Sequence, residues 1–295
     1  MCLLVLAWNA HPRYRLVLAA NRDEYHERAA EPLGKWSSSP EILAGRDVRA
    51  GGTWLGLDRA RRFGVVTNFR ELQRPRRSAP SRGRLIPDFL AEPQTPERYL
   101  ARLETDAPGY SGFNLLVGDL EQLWYASNRM DRFAQALPAG VHGLSNEFLD
   151  SPWPKLQRVR RAFEGWLASE TAVGPVAKPR PEAVPDVFSS ACIAQSPASG
   201  IGAEPATVDS TVASLFAILA DRTPAPEGSP GTGLPADWER TLSSPFVTHP
   251  TYGTRCSTVL LIEPSGATVM AERRFAANGE PSGDTEFQLA AGQWP

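Results

Sequence analysis

Two short apolar runs open the chain: Leu3-Leu4-Val5-Leu6-Ala7-Trp8, then Arg15-Leu16-Val17-Leu18-Ala19-Ala20. Between them Asn9-Ala10-His11-Pro12 is turn chemistry, so the pair reads as a hairpin. The runs are continuous rather than alternating. Strands of that kind are buried on both faces and need a layer on each side. Gly51 to Leu57 and Phe63 to Asn68 read as the next two strands, joined by a charged turn from Asp58 to Arg62. Phe113 to Val117 and Gln122 to Ala126 form a further hairpin around Gly118-Asp119. Cys256 to Ile262, Thr268 to Arg273 and Thr285 to Leu289 close the chain as strands.

Helical spacing occurs in three places. Thr95-Pro96 opens one helix, with threonine as N-cap and proline in the first turn. Pro152 to Ser169 carries Leu156, Val159, Phe163, Trp166 and Leu167 on one apolar stripe. Asp209 caps a helix holding Leu215, Phe216, Ile218 and Leu219. The last strands have no partner near them in sequence and must return to the sheet begun at the N-terminus. That makes residues 1–295 one domain. The Pro-, Ala- and Ser-rich stretch at about 172–208 reads as a loop-rich insertion, and 223–235 as a second Gly/Pro-rich loop.

Composition narrows the classes. A formal net charge of -2 gives no pull toward nucleic acid or anionic lipid. Three cysteines (Cys2, Cys192, Cys256) make no disulfide framework and fit a reducing compartment. Four scattered histidines and no CxxC pair exclude a structural zinc motif. The apolar opening lacks the basic start and cleavage site of a signal peptide, and no segment is long enough to span a bilayer. The expectation is a soluble, cytoplasmic protein.

Cys2 is the candidate for chemistry. Removal of Met1 would leave its thiol beside a free α-amine, and one residue would supply both nucleophile and base. The pKa values of such groups lie near ~8.5 and ~8. Position alone does not decide this, because a cysteine at the edge of a buried strand is commonly a small hydrophobe. A reactive thiolate needs a nearby positive charge, and its tetrahedral intermediate needs fixed donors. Asn21-Arg22-Asp23-Glu24 ends the strand paired with the first. Asn68 ends another strand, Asn146 follows Gly143-Leu144-Ser145, and Arg255 precedes the Cys256 strand.

These motifs carry a resemblance. Met1-Cys2, Asn21-Arg22-Asp23-Glu24, Gly51-Gly52-Thr53-Trp54-Leu55-Gly56, Thr67-Asn68, Gly112-Phe113-Asn114-Leu115, Gly143-Leu144-Ser145-Asn146, Pro152-Trp153, Tyr252-Gly253-Thr254-Arg255 and the Phe287 region run nearly end to end. The chain resembles the NRDE family, the transport-and-Golgi-organisation proteins. That family is similar to N-terminal nucleophile hydrolases of the bile-salt hydrolase and penicillin V acylase branch. The resemblance implies an α+β fold, a four-layer αββα sandwich. By motif, Cys2, Arg22, Asp23, Asn68, Asn146 and Arg255 take the catalytic places. Arg22 and Asp23 are adjacent, whereas the hydrolase branch spaces its pair apart. Neighbouring strand residues face opposite ways, so both reach Cys2 only if the strand has turned.

Two functions follow from the resemblance. One is cysteine-dependent hydrolysis of a small-molecule amide or thioester, which requires no cofactor. The other is non-catalytic carriage of haem or of an acyl-CoA or lipid-like ligand. For the second, the arginines from Arg70 to Arg84 would meet carboxylates or phosphates, and Trp36, Trp54 or Trp124 would supply apolar walls. His11, His26, His142 and His249 are the candidate haem ligands, with His142 beside the Gly-Leu-Ser-Asn motif.

Overall fold

The opening hairpin forms as its pattern requires. In the computed structural model, which describes residues 2–37, 40–71, 79–172, 208–226, 229 and 233–295, β1 (Cys2–Trp8) pairs antiparallel with β2 (Leu16–Tyr25). Asn9 takes the left-handed conformation at the turn (φ 48°), which asparagine tolerates. The closing strands return to this hairpin. β10 (Gly140–Leu144) pairs with β1, and β11 (Tyr252–Ile262) with the other side of β2. β12 (Thr268–Phe275) and β13 (Pro281–Leu289) extend the sheet. The first sheet therefore runs β10-β1-β2-β11-β12-β13, all antiparallel.

The second sheet is a sequential antiparallel meander. It runs through β3 (Ala30–Lys35), β4 (Ile42–Asp47), β5 (Leu55–Asp58), β6 (Phe63–Asn68), β7 (Phe113–Gly118), β8 (Leu123–Ser127) and β9 (Ala134–Ala136). Helices α1 (Leu85–Leu90) and α2 (Pro96–Asp106) cover its outer face, where Ile86, Phe89 and Leu100 pack on Ile42, Leu115 and Val117. Helices α3 (Pro154–Ala172) and α4 (Val208–Leu219) cover the outer face of the first sheet. A short α5 (Ala236–Leu242) precedes β11.

Strand alternation explains why the opening runs lack polar positions. Leu4, Leu6, Leu16 and Leu18 point between the sheets, against Leu57, Phe63, Leu116 and Tyr125. Leu3, Val5, Val17 and Ala19 point the other way, against Leu156, Val159, Phe163 and Leu215 of α3 and α4. Each central strand feeds two cores, so both faces must be apolar. The result is the α+β, four-layer αββα sandwich.

Several elements depart from expectation. Gly51 to Trp54 is not strand; the strand begins at Leu55. Gly51 has φ +70°, and a Cβ on Gly52 would lie 2.2 Å from the Gly83 carbonyl oxygen. The two glycines let the 81–84 segment lie directly on this loop, with Thr53 N–H donating to Gly83 O at 3.0 Å. Asp209 lies in the first turn of α4 rather than capping it, since the helix already begins at Val208. Strands β3, β4, β9 and β10 and helices α1 and α5 were not anticipated. β3 carries Pro32 and Gly34, β10 two glycines, and both lie at sheet edges where such residues are tolerated. Residues 173–207 of the expected insertion lie outside the described residues. Among the described residues no helix is long and apolar enough to cross a membrane.

Gly52→Ala should destabilise the protein by about 2–3 kcal/mol, because the added methyl meets backbone that cannot yield as a side chain would. Chemical denaturation checks this. Gly165→Ala, whose Cβ meets nothing within 4 Å, is the control and should be neutral or slightly stabilising.

Candidate active site

At one end of the inter-sheet core the apolar side chains give way to polar ones. Cys2 pairs with Arg22, Arg22 with Cys256, and Cys256 with Arg274, one residue from each of four adjacent strands. By alternation these side chains continue the inward row that Leu4, Ala20, Leu260 and Met270 occupy further in. A cleft of about 400 Å³ opens here. Cys2, Arg22, Asp23, Trp54, Asn68 and Arg82 are among its walls.

Cys2 is partly exposed. Burial of its sulfur pushes the thiol pKa up, and the Asp23 charge adds to that rise. Arg22 and a hydrogen bond from the Asp23 backbone N–H to the sulfur act in the opposite direction. Cys256, two strands away, is fully buried, and its thiol is pushed well above its ordinary pKa by desolvation and by the Glu272 carboxylate. It is an inert neighbour, and Cys2 is the thiol that faces the cleft.

Arg22 is 6% exposed. Its Nη2 donates to Asp47 Oδ2 at 3.3 Å, and the Trp54 ring centre lies 4.4 Å from the guanidinium carbon. The indole fits because position 45 is glycine; a Cβ there would lie 2.4 Å from the Trp54 ring. Arg22 Nη1 is buried and, among the described residues, has no hydrogen-bond partner.

β2 stays a paired strand through Tyr25, so Arg22 and Asp23 do face opposite ways. Cys2 is nevertheless reached from both sides. Arg22 lies beside it as its cross-strand partner, and Asp23 reaches it through a backbone N–H. The Asp23 carboxylate accepts from Thr254 Oγ1–H at 2.7 Å, and its carbonyl accepts from Tyr252 OH at 2.9 Å. Burial pushes the Asp23 pKa up.

The strand β11 is bulged between Thr254 and Cys256, which ejects Arg255 from the ladder. Arg255 Nη1 donates to the carbonyls of Tyr25 and His26, each at 3.0 Å, and of Arg28 at 3.3 Å. It holds the turn after β2 and does not line the cleft. Asn68 is exposed and lines it. Asn146 is buried behind, its Nδ2 donating to Asn68 O at 2.8 Å. Ser145 Oγ–H donates to Cys2 O at 3.1 Å, tying the same segment to the first strand. Of the six residues nominated from sequence, Cys2, Arg22, Asp23 and Asn68 therefore meet in the cleft, while Asn146 and Arg255 stand behind it.

The profile of the family described as Transport and Golgi organisation 2 matches residues 1–277. The chain belongs to that family. A Bos taurus Transport and Golgi organization protein 2 homolog is 30% identical over 98% of this chain and 99% of its own. The Homo sapiens homolog is 29% identical over 92% of each. A fainter likeness of overall fold (9% identity, TM-score 0.43) covers 98% of this chain and 92% of a solved chain, a C2A mutant of the conjugated bile acid hydrolase from Clostridium perfringens. At that level the likeness says nothing about residues or activity.

In this Transport and Golgi organisation 2 member, sequence reasoning missed Asp47 and Lys155, and it named Arg82 only among the arginines of the 70–84 loop. Lys155 had a readable signal: it stands on the buried stripe of α3 with Leu156, Val159 and Phe163, where helical spacing calls for an apolar residue. Its Nζ donates to Leu242 O at 3.0 Å. Burial lowers its pKa to about 8, while Asp23 and Cys2 oppose that fall. Of the three tryptophans weighed as walls, only Trp54 lines the cleft; Trp36 and Trp124 pack in the core beneath α1 and α2. In the arginine-rich loop Arg82 reaches the cleft, Arg70 stacks on Trp153, and Arg84 pairs with Asp88. Arg74, Arg76 and Arg77 lie outside the described residues.

No histidine lines the cleft. Both ring nitrogens of His142 are engaged, Nδ1 with Asp150 Oδ2 and Nε2 with Pro138 O, each at 3.1 Å. His26 Nε2 bonds the His249 carbonyl. Ligation of a haem iron in the cleft by these histidines does not fit. Among the described residues no group of three or more His, Cys, Asp and Glu could hold a metal ion.

The His142–Asp150 pair braces the segment that carries Ser145 and Asn146, because Asp150 Oδ1 also accepts from Gly143 N–H at 2.7 Å. Its hydrogen bond to Asp150 raises the His142 pKa above the ordinary 6.5. The stabilisation is therefore complete below about pH 6.5 and fades as pH climbs through the higher folded-state value. His142→Gln should flatten the loss of folding stability as pH rises above about 6.5 relative to the parent, as measured by urea denaturation at each pH.

Proposed function

We propose that the chain is a cysteine-dependent hydrolase of amide or thioester bonds, with Cys2 as nucleophile once Met1 has been removed. One observation carries the reading. The Cys2 thiol lines a cleft with a guanidinium across the strand and a backbone N–H on its sulfur. Cys256, buried beside the same arginine, has no such opening.

In this reaction Sγ attacks the carbonyl carbon, and the thiol proton passes to the α-amine of the same residue through a water. The Arg22 charge favours the thiolate. The carbonyl electrons collect on an oxyanion, for which the exposed Asn68 side chain is a donor on the cleft wall. Asn146 acts through Asn68, whose carbonyl it holds. Asp23, fixed by Thr254, orients the new amine. As the tetrahedral intermediate collapses, the amine or thiol leaves with the stored proton and a Cys2 thioester remains. Water then attacks that thioester, gives its proton to the α-amine, and releases the carboxylic acid and the thiol.

Carriage of haem or a lipid-like ligand finds less support. No histidine faces the cleft, and Arg22, Arg28, Asp47 and Glu24 make its walls charged rather than apolar. The unpaired Cys2 and Cys256 fit the cytoplasm we propose as its location.

Intact mass should show a protein lacking Met1, and Cys2→Ala should lose acyl hydrolysis by ~10³-fold or more while melting within a few degrees of the parent. Undiminished hydrolysis by Cys2→Ala would end the enzyme reading. Hydrolysis by a protein that retains Met1 would instead remove the α-amine from the mechanism.

A further inference from the structure

The cleft carries more positive charge than its carboxylates match. Arg22, Arg28, Arg49 and Arg82 all line it. Asp47 Oδ2 is shared, 2.6 Å from Arg28 Nε and 3.3 Å from Arg22 Nη2. Glu24 Oε2 lies 3.9 Å from Arg22 Nη2 and 3.8 Å from Arg28 Nε. The Asp23 carboxylate is turned to Thr254 on the other face of β2. These two acids neutralise two cations. Among the described residues no carboxylate comes within 4 Å of Arg49 or Arg82, and Arg82 donates one N–H to the Gly112 carbonyl at 2.9 Å.

Arg22 gives the surplus a direction. Its side chain is 6% exposed, yet among the described residues Nη1 has no hydrogen-bond partner. A buried N–H left without an acceptor is costly, and more so when the group is charged. Trp54 closes one face of the guanidinium at 4.4 Å, so an acceptor must arrive near its plane. The Cys2 thiolate could satisfy one such N–H. It does not account for the two further arginines that line the same cleft.

We propose that the cleft binds an anionic group, a carboxylate or a phosphate, through Arg22 Nη1 and Arg82, with Arg49 at the rim. Cys2 and Arg22 are cross-strand partners, whose Cβ atoms are roughly 5 Å apart. The anion is thus held within a few bonds of any carbonyl in reach of Sγ. Resting on the hydrolase reading, this names the substrate class: a small acyl amide or thioester with a negative charge close to the scissile bond. Binding of the anion itself does not depend on turnover.

Cys2→Ala protein, titrated calorimetrically at low ionic strength with inorganic phosphate and separately with succinate, tests the subsite. Saturable binding of one anion per chain is expected, weakened about tenfold by Arg82→Gln, retained by Arg82→Lys, and lost in ~0.5 M chloride. The tighter of the two ligands assigns the group. If neither anion saturates at millimolar concentration, or if Arg82→Gln binds as well as Arg82→Lys, the subsite is overturned. Anion binding by Cys2→Ala without any hydrolysis by the parent would retire the hydrolase and leave the subsite standing. Faster hydrolysis of neutral than of acidic acyl anilides would do the reverse.

Discussion

The register of the first hairpin is the constraint on which the rest depends. With Cys2 opposite Arg22, the odd- and even-numbered residues of β1 enter two different cores. A slip of one residue would exchange those cores and carry Cys2 to the helical side. It would also set Asp23 or Asn21 opposite Cys2 in place of the arginine. Apolar packing therefore decides which charge lies beside the sulfur. Leu3, Val5 and Leu6, at 0% exposure, are fitted to their own cores, and exchanging those cores would put side chains of the wrong size and shape into each. The site's geometry is a by-product of how the two cores pack.

A buried arginine at the end of that row must be compensated, because an unpaired charge in the interior costs more than most contacts return. The fold answers with parts from distant segments. Asp47 comes from the end of β4, and Trp54 from the loop before β5. Gly45 makes room for the indole, and Gly52 for the loop that bears Arg82. Arg28, bonded to the same Asp47, is held by a turn that Arg255 ties down. The glycine-rich stretch before β5 thus shapes the cleft wall, which is why it abandons strand conformation just where its hydrophobic pattern asks for a strand.

What could be read in advance follows from which signals are local. The central strands were legible because burial on both faces leaves continuous apolar runs, and the α2 cap because Thr95-Pro96 is a local device. The edge strands β3, β9 and β10 were not, since a strand with one partner tolerates Pro32, Gly34 or a length of three residues. Cys2, Arg22, Asp23 and Asn68 were legible as motif residues at or near the ends of strands. Asn146 and Arg255 carried the same signal but spend their donors on backbone carbonyls. Only the bulge in β11 sends Arg255 outward, and no spacing rule announces a bulge. Asp47 looks like an ordinary surface charge until the second sheet folds over the first.

The adjacency of Arg22 and Asp23 has a physical use. On an unturned strand, consecutive residues serve opposite faces, so one dipeptide supplies the inter-sheet side with a cation and the helical side with an anion. Cys2 ends its own strand between those two environments. It takes charge from Arg22 through the side chain and a hydrogen bond from Asp23 through the backbone. Behind Asp23 the buried Lys155 ammonium offsets the carboxylate, while in front Asp47 offsets the guanidinium. The two charges beside the sulfur are therefore balanced separately, on opposite sides of one sheet. A change on either side alters the field at the thiol from one side of the sheet only.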